Sequence, residues 1–472
     1  MKTDCSKKSF EFQSLSSREV LGTFDGGHIT SDAGGLLLRE VESRTKIIKQ
    51  FATCFIDHRD PEKIEHTVYE LVAQRVYGLA LGYEDLNDHD DLRVDPLLGL
   101  LAGKADPTGA GRVRERDRGK ALAGKSTLNR LELTPSDADA SARYKKIVLN
   151  SDLMNLFFVE LFLQSQATPP KRIVLDLDAT DDRLHGNQEG RFFHGYYGDY
   201  CYLPLYIFCG DALLCARLRS SNIDASRGTV DELERIVGRI REAWPDVIIV
   251  IRADSGFCRE EIMAWCERNN VKYVLGLAKN SRLIDEIGNE LAQAKALFEQ
   301  SGQPARLYRD FAYRTLDSWS RARRVVGKAE HLEKGANPRF VVTSIGADRI
   351  DARALYEDLY CARGEMENRI KEQQLQLFAD RTSCTKMRAN QIRLWFSSVA
   401  YTLLEALRRL GLAGTAMARA QCSTIRLKLL KIGACVKISV RRILVSLASG
   451  CPYAGIFATV WEKLRGLAPL RC

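Results

Sequence analysis

Apolar positions in the middle of the chain predict a sheet whose later strands alternate with helices. Apolar residues with a period of two predict the strands, and apolar residues repeating every three or four positions predict the helices. In chain order the predicted elements are strands 173–178, 203–209 and 212–218, helix 229–244, strand 247–251, helix 260–268 and strand 273–277. Gly210-Asp211 predicts a tight turn between the second and third strands.

The residues on either side of this segment have different patterns. Up to about residue 165 the periodicity is mainly helical. A pattern typical of strands appears again at about 303–348 and predicts a β-rich insertion. Residues 351–378 and 391–410 each predict one long helix.

Together these patterns predict an α/β fold in three consecutive regions. Three meandering strands followed by alternating helix and strand is the order of a ribonuclease-H-like sheet. We therefore expect a mainly helical N-terminal region at 1–165, a ribonuclease-H-like domain with the β-rich insertion at 166–380, and a basic C-terminal region at 381–472.

Positive charge is concentrated in the last of these regions. The whole chain has a net charge of +9, whereas residues 381–472 contain 16 lysines and arginines but two acidic residues, a net charge of +14. Residues 436–441 alternate strictly, which predicts a half-buried strand with Lys437 and Arg441 on its outer face. A basic region on a near-neutral body favours a polyanion partner, and a solvated basic surface is the alternative.

The overall composition is that of a soluble globular protein. The 472 residues suffice for two to four domains, with 45% hydrophobic and 28% charged residues. No apolar run approaches the roughly 18 residues of a membrane span, and the first residues lack the apolar core of a secretory signal. We expect a cytoplasmic protein with no membrane partner. The 13 cysteines form no Cys-x-x-Cys pair and no Cys/His cluster, which predicts buried thiols rather than a disulfide frame or zinc site.

Three separated acidic residues are the candidates for catalysis. Asp178 ends the first predicted strand, Asp254 comes three residues after the end of the strand at 247–251, and Glu367 lies in the helix predicted at 351–378. A carboxylate at the end of a buried strand is held rigidly at a sheet edge. Three converging carboxylates can hold two Mg²⁺ ions about 4 Å apart for in-line phosphoryl displacement.

Two of these positions have competitors nearby. Asp176 and Asp178 point the same way on a strand, because side chains repeat every second residue. Asp181 lies just beyond the strand. Both stay open as alternatives to Asp178.

Helical spacing places Tyr360, Arg363, Glu367 and Lys371 on one face. Arginine and lysine one turn from a carboxylate suit a phosphate-rich site, where the glutamate binds metal and the cations contact DNA phosphates. A salt-bridged solvent face is the alternative. Glu365 competes with Glu367 but lies about 200° away around a regular helix.

Other motifs are interpreted as structural. Residues 119–126 match the P-loop formula G-x-x-x-x-G-K-S, but the Arg-rich text before them cannot form the buried strand that a phosphate cradle needs, so no nucleotide partner is expected. The lysines and arginines there are expected to contact DNA or stay solvated. His185 and His194 are interpreted as hydrogen-bonded loop residues. The aromatic run at 192–197 is interpreted as core packing, with base stacking as the alternative.

With these residues identified, the chain resembles the DDE transposases of bacterial insertion sequences, and more specifically insertion-sequence family 1380, whose domain is described as transposase DDE group 1. Asp178-Ala179-Thr180 is similar to the D-x-T of the family's first strand, which favours Asp178 over its neighbours. Residues 252–257, Arg-Ala-Asp-Ser-Gly-Phe, resemble the motif of the second aspartate.

The third motif is the most specific part of this resemblance. Tyr360-x2-Arg363-x3-Glu367 is similar to the Y-x2-R-x3-E signature of related transposases. The wider signature continues with x6-Lys, and this chain has Gln374 there. Lys371, one turn after Glu367, is the candidate substitute.

The resemblance implies a transposase that binds terminal inverted repeats, cleaves DNA ends and joins them to target DNA. It implies that Asp178, Asp254 and Glu367 bind two Mg²⁺ ions, with Mn²⁺ as a substitute. The expected partner is double-stranded DNA, and a homodimer is expected in the DNA complex because two ends must be paired. The alternatives are a ribonuclease-H-fold nuclease without strand transfer and a DNA-binding regulator without catalytic activity.

The predicted DNA contacts are divided among the regions of the chain. Residues 1–165 are expected to contribute most repeat recognition. Phosphate contacts are expected from Tyr360, Arg363, Lys371, Lys437 and Arg441.

Overall fold

A computed structural model of the protein describes residues 9–468, and the chain forms two compact units. One unit contains residues 150–398, and the other combines residues 1–149 with residues 399–472. These boundaries differ from the three consecutive regions that the sequence predicts.

The N-terminal and C-terminal stretches belong to one unit because their backbones pair. Strand Ile29–Thr30 pairs with strand Ala434–Ile438, and the Ala33 amide donates to the Ile432 carbonyl over 3.0 Å. Gly34 permits this approach, since a Cβ there would lie 1.7 Å from the Leu429 carbonyl oxygen. Contacts so distant in sequence leave no local pattern.

Nine strands form one mixed sheet in the 150–398 unit. In chain order they are β1 (Arg172–Ala179), β2 (Leu205–Cys209), β3 (Ala212–Arg217), β4 (Ile248–Ala253), β5 (Lys272–Leu277), β6 (Ala305–Tyr313), β7 (Arg323–Leu332), β8 (Gly335–Ala336) and β9 (Arg339–Thr343). Their order across the sheet is β3-β2-β1-β4-β5-β9-β7-β6, and β8 pairs with β7. β1, β2 and β3 are antiparallel, whereas β4 pairs in parallel with both β1 and β5. The strands predicted before residue 278 are all present, within two residues at each end.

The predicted β-rich insertion also forms strands, but these extend the central sheet. β9 pairs antiparallel with β5 and with β7, and β7 pairs with β6. Phe340, Val341 and Val342 of β9 are buried, as expected for a strand inside a sheet that is covered on both faces.

Helices pack against this sheet through their apolar faces. In chain order they include α1 (Ser151–Ser165), α2 (Thr229–Ala243), α3 (Glu260–Arg268), α4 (Ser281–Glu286) and α5 (Gly288–Ser301). The predicted apolar face of α2 is buried and joins one core cluster with residues of β1 and β4. A small three-stranded sheet lies between β1 and β2 in the chain, formed by Asp182–Arg183, Phe192–His194 and Asp199–Tyr202.

Residues 352–376 form a continuous helical run, but it is not the regular α-helix that the sequence predicts. The helix type changes along the run. It is α at Ala352–Ala354, π at Leu355–Tyr360, 3₁₀ at Cys361–Arg363, α again at Gly364–Lys371 and π at Glu372–Gln376. Glu365 and Glu367 lie in the regular α-helical part. The other predicted helix is Met387–Leu407, followed by a π turn at Arg408–Leu412.

The second unit is mainly helical, as predicted for the N-terminal region, and its short strands, apart from the one predicted at 436–441, were not predicted from the sequence. Its described helices are Gly35–Thr45, Ile47–Ala52, Val68–Leu81, Asp88–Leu92, Pro96–Leu101, Lys125–Leu133, Cys422–Ile425 and Ala454–Gly466. Its described strand pairs are Ser9–Leu15 with Arg18–Thr23, Phe55–Asp57 with Ile147–Leu149, and Ala434–Ile438 with both Ile29–Thr30 and Ile443–Leu447.

The predicted strand at 436–441 ends earlier than expected, which corrects the placement of Arg441. The strand stops at Ile438, and Ser439 and Arg442 exchange backbone hydrogen bonds around a turn whose centre contains Arg441. Lys437 lies exposed on the strand and Arg441 lies exposed in the turn. The two cations share a hairpin but not one strand face.

Several cations expected on a DNA surface are used inside their own unit instead. Arg408 is buried at 4% exposure, and Arg426 donates to the Ala80 carbonyl over 2.9 Å. In the Arg-rich loop, the mostly covered Arg112 side chain pairs with Glu65 at 3.0 Å. The +14 charge therefore overstates the charge available at the surface.

Residues 9–468 also bear on the expectations for the P-loop-like stretch, the cysteines and membrane spans. A 3₁₀ turn at Glu115–Asp117, rather than a strand, precedes the P-loop-like stretch. Every cysteine in this range is a free thiol. None of the helices in this range is both long and apolar enough to cross a membrane.

Candidate active site

Asp178 and Asp254 lie at the same edge of the sheet. Asp178 is near the end of β1, and Asp254 directly follows β4, the parallel neighbour of β1. Asp254 Oδ1 accepts a hydrogen bond from the Gly256 amide at 2.8 Å, and Asp178 Oδ1 accepts one from the Ala179 amide at 2.9 Å. Both carboxylates are thus oriented by backbone, and each keeps a second oxygen for other partners.

Arg363 connects the first and third candidate carboxylates. Its Nη1 lies 3.4 Å from Asp178 Oδ2, and its Nη2 lies 2.8 Å from Glu367 Oε1. Asp178 and Glu367 are 189 positions apart in the sequence, so this cation brings the strand and the helical run to one place. The predicted convergence of these two residues is present in the geometry.

The electrostatics of Asp178 report the proximity of the other two acids. Burial raises the pKa of Asp178 to about 7, Arg363 opposes the rise, and the charges of Asp254 and Glu367 add to it. Like charges that share a site disfavour ionisation of one another. The charges of Asp254 and Glu367 therefore both act on Asp178.

These carboxylates have the chemistry of a divalent cation site but are not gathered into a metal cage. Within residues 9–468, no three His, Cys, Asp or Glu side chains are close enough together to hold an ion as they stand. Carboxylate oxygens are nonetheless the donors that Mg²⁺ prefers. The Arg363 guanidinium already occupies the space between Asp178 and Glu367 as a cation. The donor set fits a divalent metal, provided that Arg363 moves.

A cleft of about 430 Å³ opens beside Asp254, with Tyr360 in its wall. Lys279 and Arg339 also line it and are exposed. Gly276 permits the close packing at its floor, because a Cβ there would lie 2.6 Å from Tyr360 Oη. The sequence reasoning missed both cations, although Lys279 closely follows the end of β5 at the sheet edge where Asp178 and Asp254 lie.

The alternatives to Asp178 and Glu367 have other surroundings. Asp176 is 3% exposed and forms an ion pair with Arg252. Asp181 lies 3.7 Å from Arg183. Glu365 is exposed and lines a different cavity of about 300 Å³, together with Asp176 and Arg252.

Gln374, at the place of the usual lysine, has a structural contact. Its Nε2 donates to the Asp181 carbonyl at 3.0 Å and to Asp182 Oδ1 at 2.7 Å. Burial raises the pKa of Asp182 to about 8, and the hydrogen bond from Gln374 opposes that rise. Lys371, the candidate substitute, is exposed. Within residues 9–468, Lys371 forms no hydrogen bond or ion pair with the three carboxylates, and its role stays a prediction.

The interpretation of the aromatic run at 192–197 as core is wrong. Phe193 and Tyr196 are 59% and 86% exposed. They lie on or beside the small three-stranded sheet, which is too narrow to bury both of its faces. His194 contacts the Tyr197 ring, with centroids 4.9 Å apart, and His185 is exposed.

Comparison with known protein families gives a match that spans nearly the whole chain. The family described as transposase DDE domain group 1 matches residues 12–469. No curated protein matches the chain. Seven chains of solved structures match, among them the cryo-EM structure of piggyBac transposase synaptic complex with hairpin DNA, at 12% identity and a TM-score of 0.41, over 85% of this chain and 80% of that chain. Because the family match spans nearly the whole sequence, this protein belongs to the transposase DDE domain group 1 family.

Proposed function

We propose that this chain is a transposase that binds the terminal inverted repeats of its own element, cleaves the DNA ends and joins them to target DNA. The observation that carries the proposal is the Arg363 cation between Asp178 and Glu367, together with Asp254 after the strand next to that of Asp178. Membership of a transposase family supports it. We also propose that this chain is a transposase of insertion-sequence family 1380.

Asp178, Asp254 and Glu367 would hold two Mg²⁺ ions, or Mn²⁺ in their place. Metal ions held there would supply Lewis-acid activation of the attacking water or 3′-hydroxyl and stabilisation of the leaving oxygen. The backbone hydrogen bonds to Asp178 and Asp254 orient these carboxylates before any ion arrives. Such preorganisation lowers the reorganisation needed during the reaction.

The cations around the carboxylates would bind the DNA strand. Arg363, released from Asp178 and Glu367, binds the phosphate next to the scissile bond. Lys279 and Arg339 bind the adjoining phosphates along the cleft, and Tyr360 forms its wall. Lys371, which is exposed, contacts the DNA backbone further from the scissile bond.

The fold assignment within this proposal is ribonuclease-H-like for residues 166–380, which lie within the 150–398 unit. The antiparallel β3-β2-β1 order followed by parallel β4 and β5 supports it. Residues 1–165 contribute most repeat recognition, and residues 381–472 contribute phosphate contacts. Two copies pair the two ends, which gives a homodimer on DNA.

The test is a reaction with repeat-ended linear DNA, a supercoiled target and Mg²⁺. The proposal expects end cleavage and strand-transfer products that disappear when EDTA removes the metal. Cleavage without joining, even with pre-cut ends, would identify a nuclease instead. Metal-independent repeat binding without nicking would identify a DNA-binding regulator.

Replacing Arg363 with glutamine is expected to strengthen metal binding while it impairs DNA cleavage. The guanidinium competes with a metal ion for Asp178 and Glu367, so its removal is expected to lower the Mn²⁺ dissociation constant roughly tenfold. Cleavage falls because the phosphate loses a cationic partner. Free Mn²⁺ measured by electron paramagnetic resonance, beside the cleavage rate, checks both effects.

A matched control is Arg353→Gln, which removes the same charge from an exposed position of the same helical run. It is expected to leave Mn²⁺ binding and cleavage unchanged. Mn²⁺ binding that stays constant or weakens in Arg363→Gln would show that the guanidinium does not compete with metal.

Replacing Lys437 and Arg441 with glutamine is expected to weaken specific and non-specific DNA binding about equally. Both cations are exposed on one hairpin, and neither phosphate contact would distinguish bases. Losing two phosphate contacts is expected to flatten the slope of log K against log salt by about two. Fluorescence anisotropy between low and moderate salt measures the slope.

The control for this pair is Lys295→Gln with Lys334→Gln, which makes the same charge change at exposed positions in the 150–398 unit. If both double variants keep the full slope, the basic hairpin is not a DNA surface. If both flatten it alike, the effect is long-range charge rather than local contact.

A further inference from the structure

Beneath the candidate carboxylates lies a buried ion pair that the proposed chemistry does not use. Arg252 on β4 and Asp176 on β1 are direct partners in the parallel register of these strands. Arg252 Nε lies 2.5 Å from Asp176 Oδ1, and Arg252 Nη2 lies 2.8 Å from Asp176 Oδ2. Arg252 and Asp176 are 8% and 3% exposed, so the bidentate pair is buried except where it lines the cavity beside Glu365.

The third nitrogen of the same guanidinium reaches the helical run. Arg252 Nη1 donates to the Leu359 carbonyl over 2.5 Å. Leu359 immediately precedes Tyr360, at the place where the run changes from π to 3₁₀ turns. One side chain therefore bonds β1, β4 and the segment that carries Glu367.

The spacing relates this contact to all three candidate carboxylates. Asp178 is two residues beyond Asp176 on β1, and Asp254, in extended backbone just after β4, is two residues beyond Arg252. The two aspartates therefore lie on the same side of the sheet as the ion pair. The pair lies one side-chain layer, about 7 Å along the strands, below the candidate site. A change in the Arg252 contacts would thus shift the relative positions of all three acids.

We propose that Arg252 is a positioning residue that sets the separation of Asp178, Asp254 and Glu367 through its bonds to Asp176 and Leu359. This inference rests on the proposed function. Arg252 touches neither substrate nor metal in this role. The planar guanidinium is needed because it offers a bidentate fork to the carboxylate and a further donor to the carbonyl, which a lysine ammonium cannot match in geometry.

The experiment separates positioning from stability by replacing the pair with apolar residues. Asp176→Leu with Arg252→Met removes both buried charges together, and such replacements are often neutral or stabilising. We expect a melting temperature near that of the wild type, but cleavage and Mn²⁺ affinity each lowered about 10- to 100-fold, as for residues that orient metal ligands. Wild-type cleavage and Mn²⁺ affinity in the folded double variant would overturn the proposal.

Arg252→Lys keeps the buried charge and tests geometry without relying on the double variant. It is expected to lower Mn²⁺ affinity and cleavage in a folded protein. Full retention of both would overturn the positioning role. Should the double variant fail to fold, this single substitution still decides the question.

Arg323→Met is a matched control, because Arg323 is another buried arginine on a sheet strand. Its four side-chain hydrogen bonds go to Glu260 and Glu267. It is expected to lower the melting temperature without changing Mn²⁺ affinity. An equal loss of Mn²⁺ affinity in this control would attribute the Arg252 effect to general destabilisation.

The wild-type measurements keep this proposal distinct from the proposed function. If the wild type binds Mn²⁺ but does not join DNA, the proposed transposase function is wrong. The Mn²⁺ affinities of the variants would still test whether Arg252 positions the carboxylates. If the wild type binds no Mn²⁺ and does not cleave, both proposals are overturned.

Discussion

Asp254→Asn and Asp178→Asn are each expected to lower DNA cleavage by about 10³-fold or more, because losing a metal-binding carboxylate removes several kcal/mol of transition-state stabilisation. Apo DNA binding is expected to stay nearly intact, since neither carboxylate attracts a phosphate. Single-turnover cleavage of repeat-ended DNA and anisotropy without metal measure the two effects.

Asp181→Asn is the matched control for these aspartates. Asp181 follows β1 within three residues of Asp178 and lies 3.7 Å from Arg183. Its substitution is expected to change cleavage less than about threefold, as for surface residues outside a site. A loss in Asp181→Asn together with full activity in Asp178→Asn would move the first catalytic position to Asp181.

Glu367→Gln is expected to abolish cleavage to a similar extent, whereas Glu365→Gln is expected to leave it within about twofold of the wild type. The two glutamates lie in the same α-helical stretch but face different surroundings. Glu367 shares Arg363 with Asp178, while Glu365 lines the cavity next to Asp176. Cleavage rates and Mn²⁺ affinities of both variants give the comparison.

The reverse pattern, with Glu365→Gln inactive and Glu367→Gln active, would contradict the assignment of the third carboxylate. Equal losses would indicate that the helical run as a whole, rather than one glutamate, supports the reaction. Melting temperatures of both variants distinguish that case from unfolding.

Much of the central sheet was predictable because its signals are local. The apolar residues located β1 to β5 and placed candidate aspartates near the ends of β1 and β4. The resemblance to the D-x-T motif then favoured Asp178 over Asp176 and Asp181. Backbone pairing between these strands then brings the two aspartates to one edge without further information. The Tyr360, Arg363 and Glu367 spacing survived the irregular turns, since Arg363 and Glu367 still lie within one turn of each other.

Surface exposure was less predictable, because a periodic pattern does not state what covers an element. Phe193 and Tyr196 are apolar in composition but lie by a sheet too small to bury them. Arg408 is charged but buried against its own unit. Arg441 continued an alternating pattern, yet a backbone turn removed it from the strand.

By itself the sequence determined the strands, the order of the acidic positions and the family resemblance, all of which depend on neighbours in the chain. The tertiary structure decided which partners each of the competing carboxylates contacts, because those partners lie far away in sequence. Asp176 is committed to Arg252, 76 positions later, and Arg252 reaches Leu359 a further 107 positions on. Only folding brings such groups together. Because the pair is buried, removing one partner would leave an unpaired charge in the interior, which is strongly destabilising.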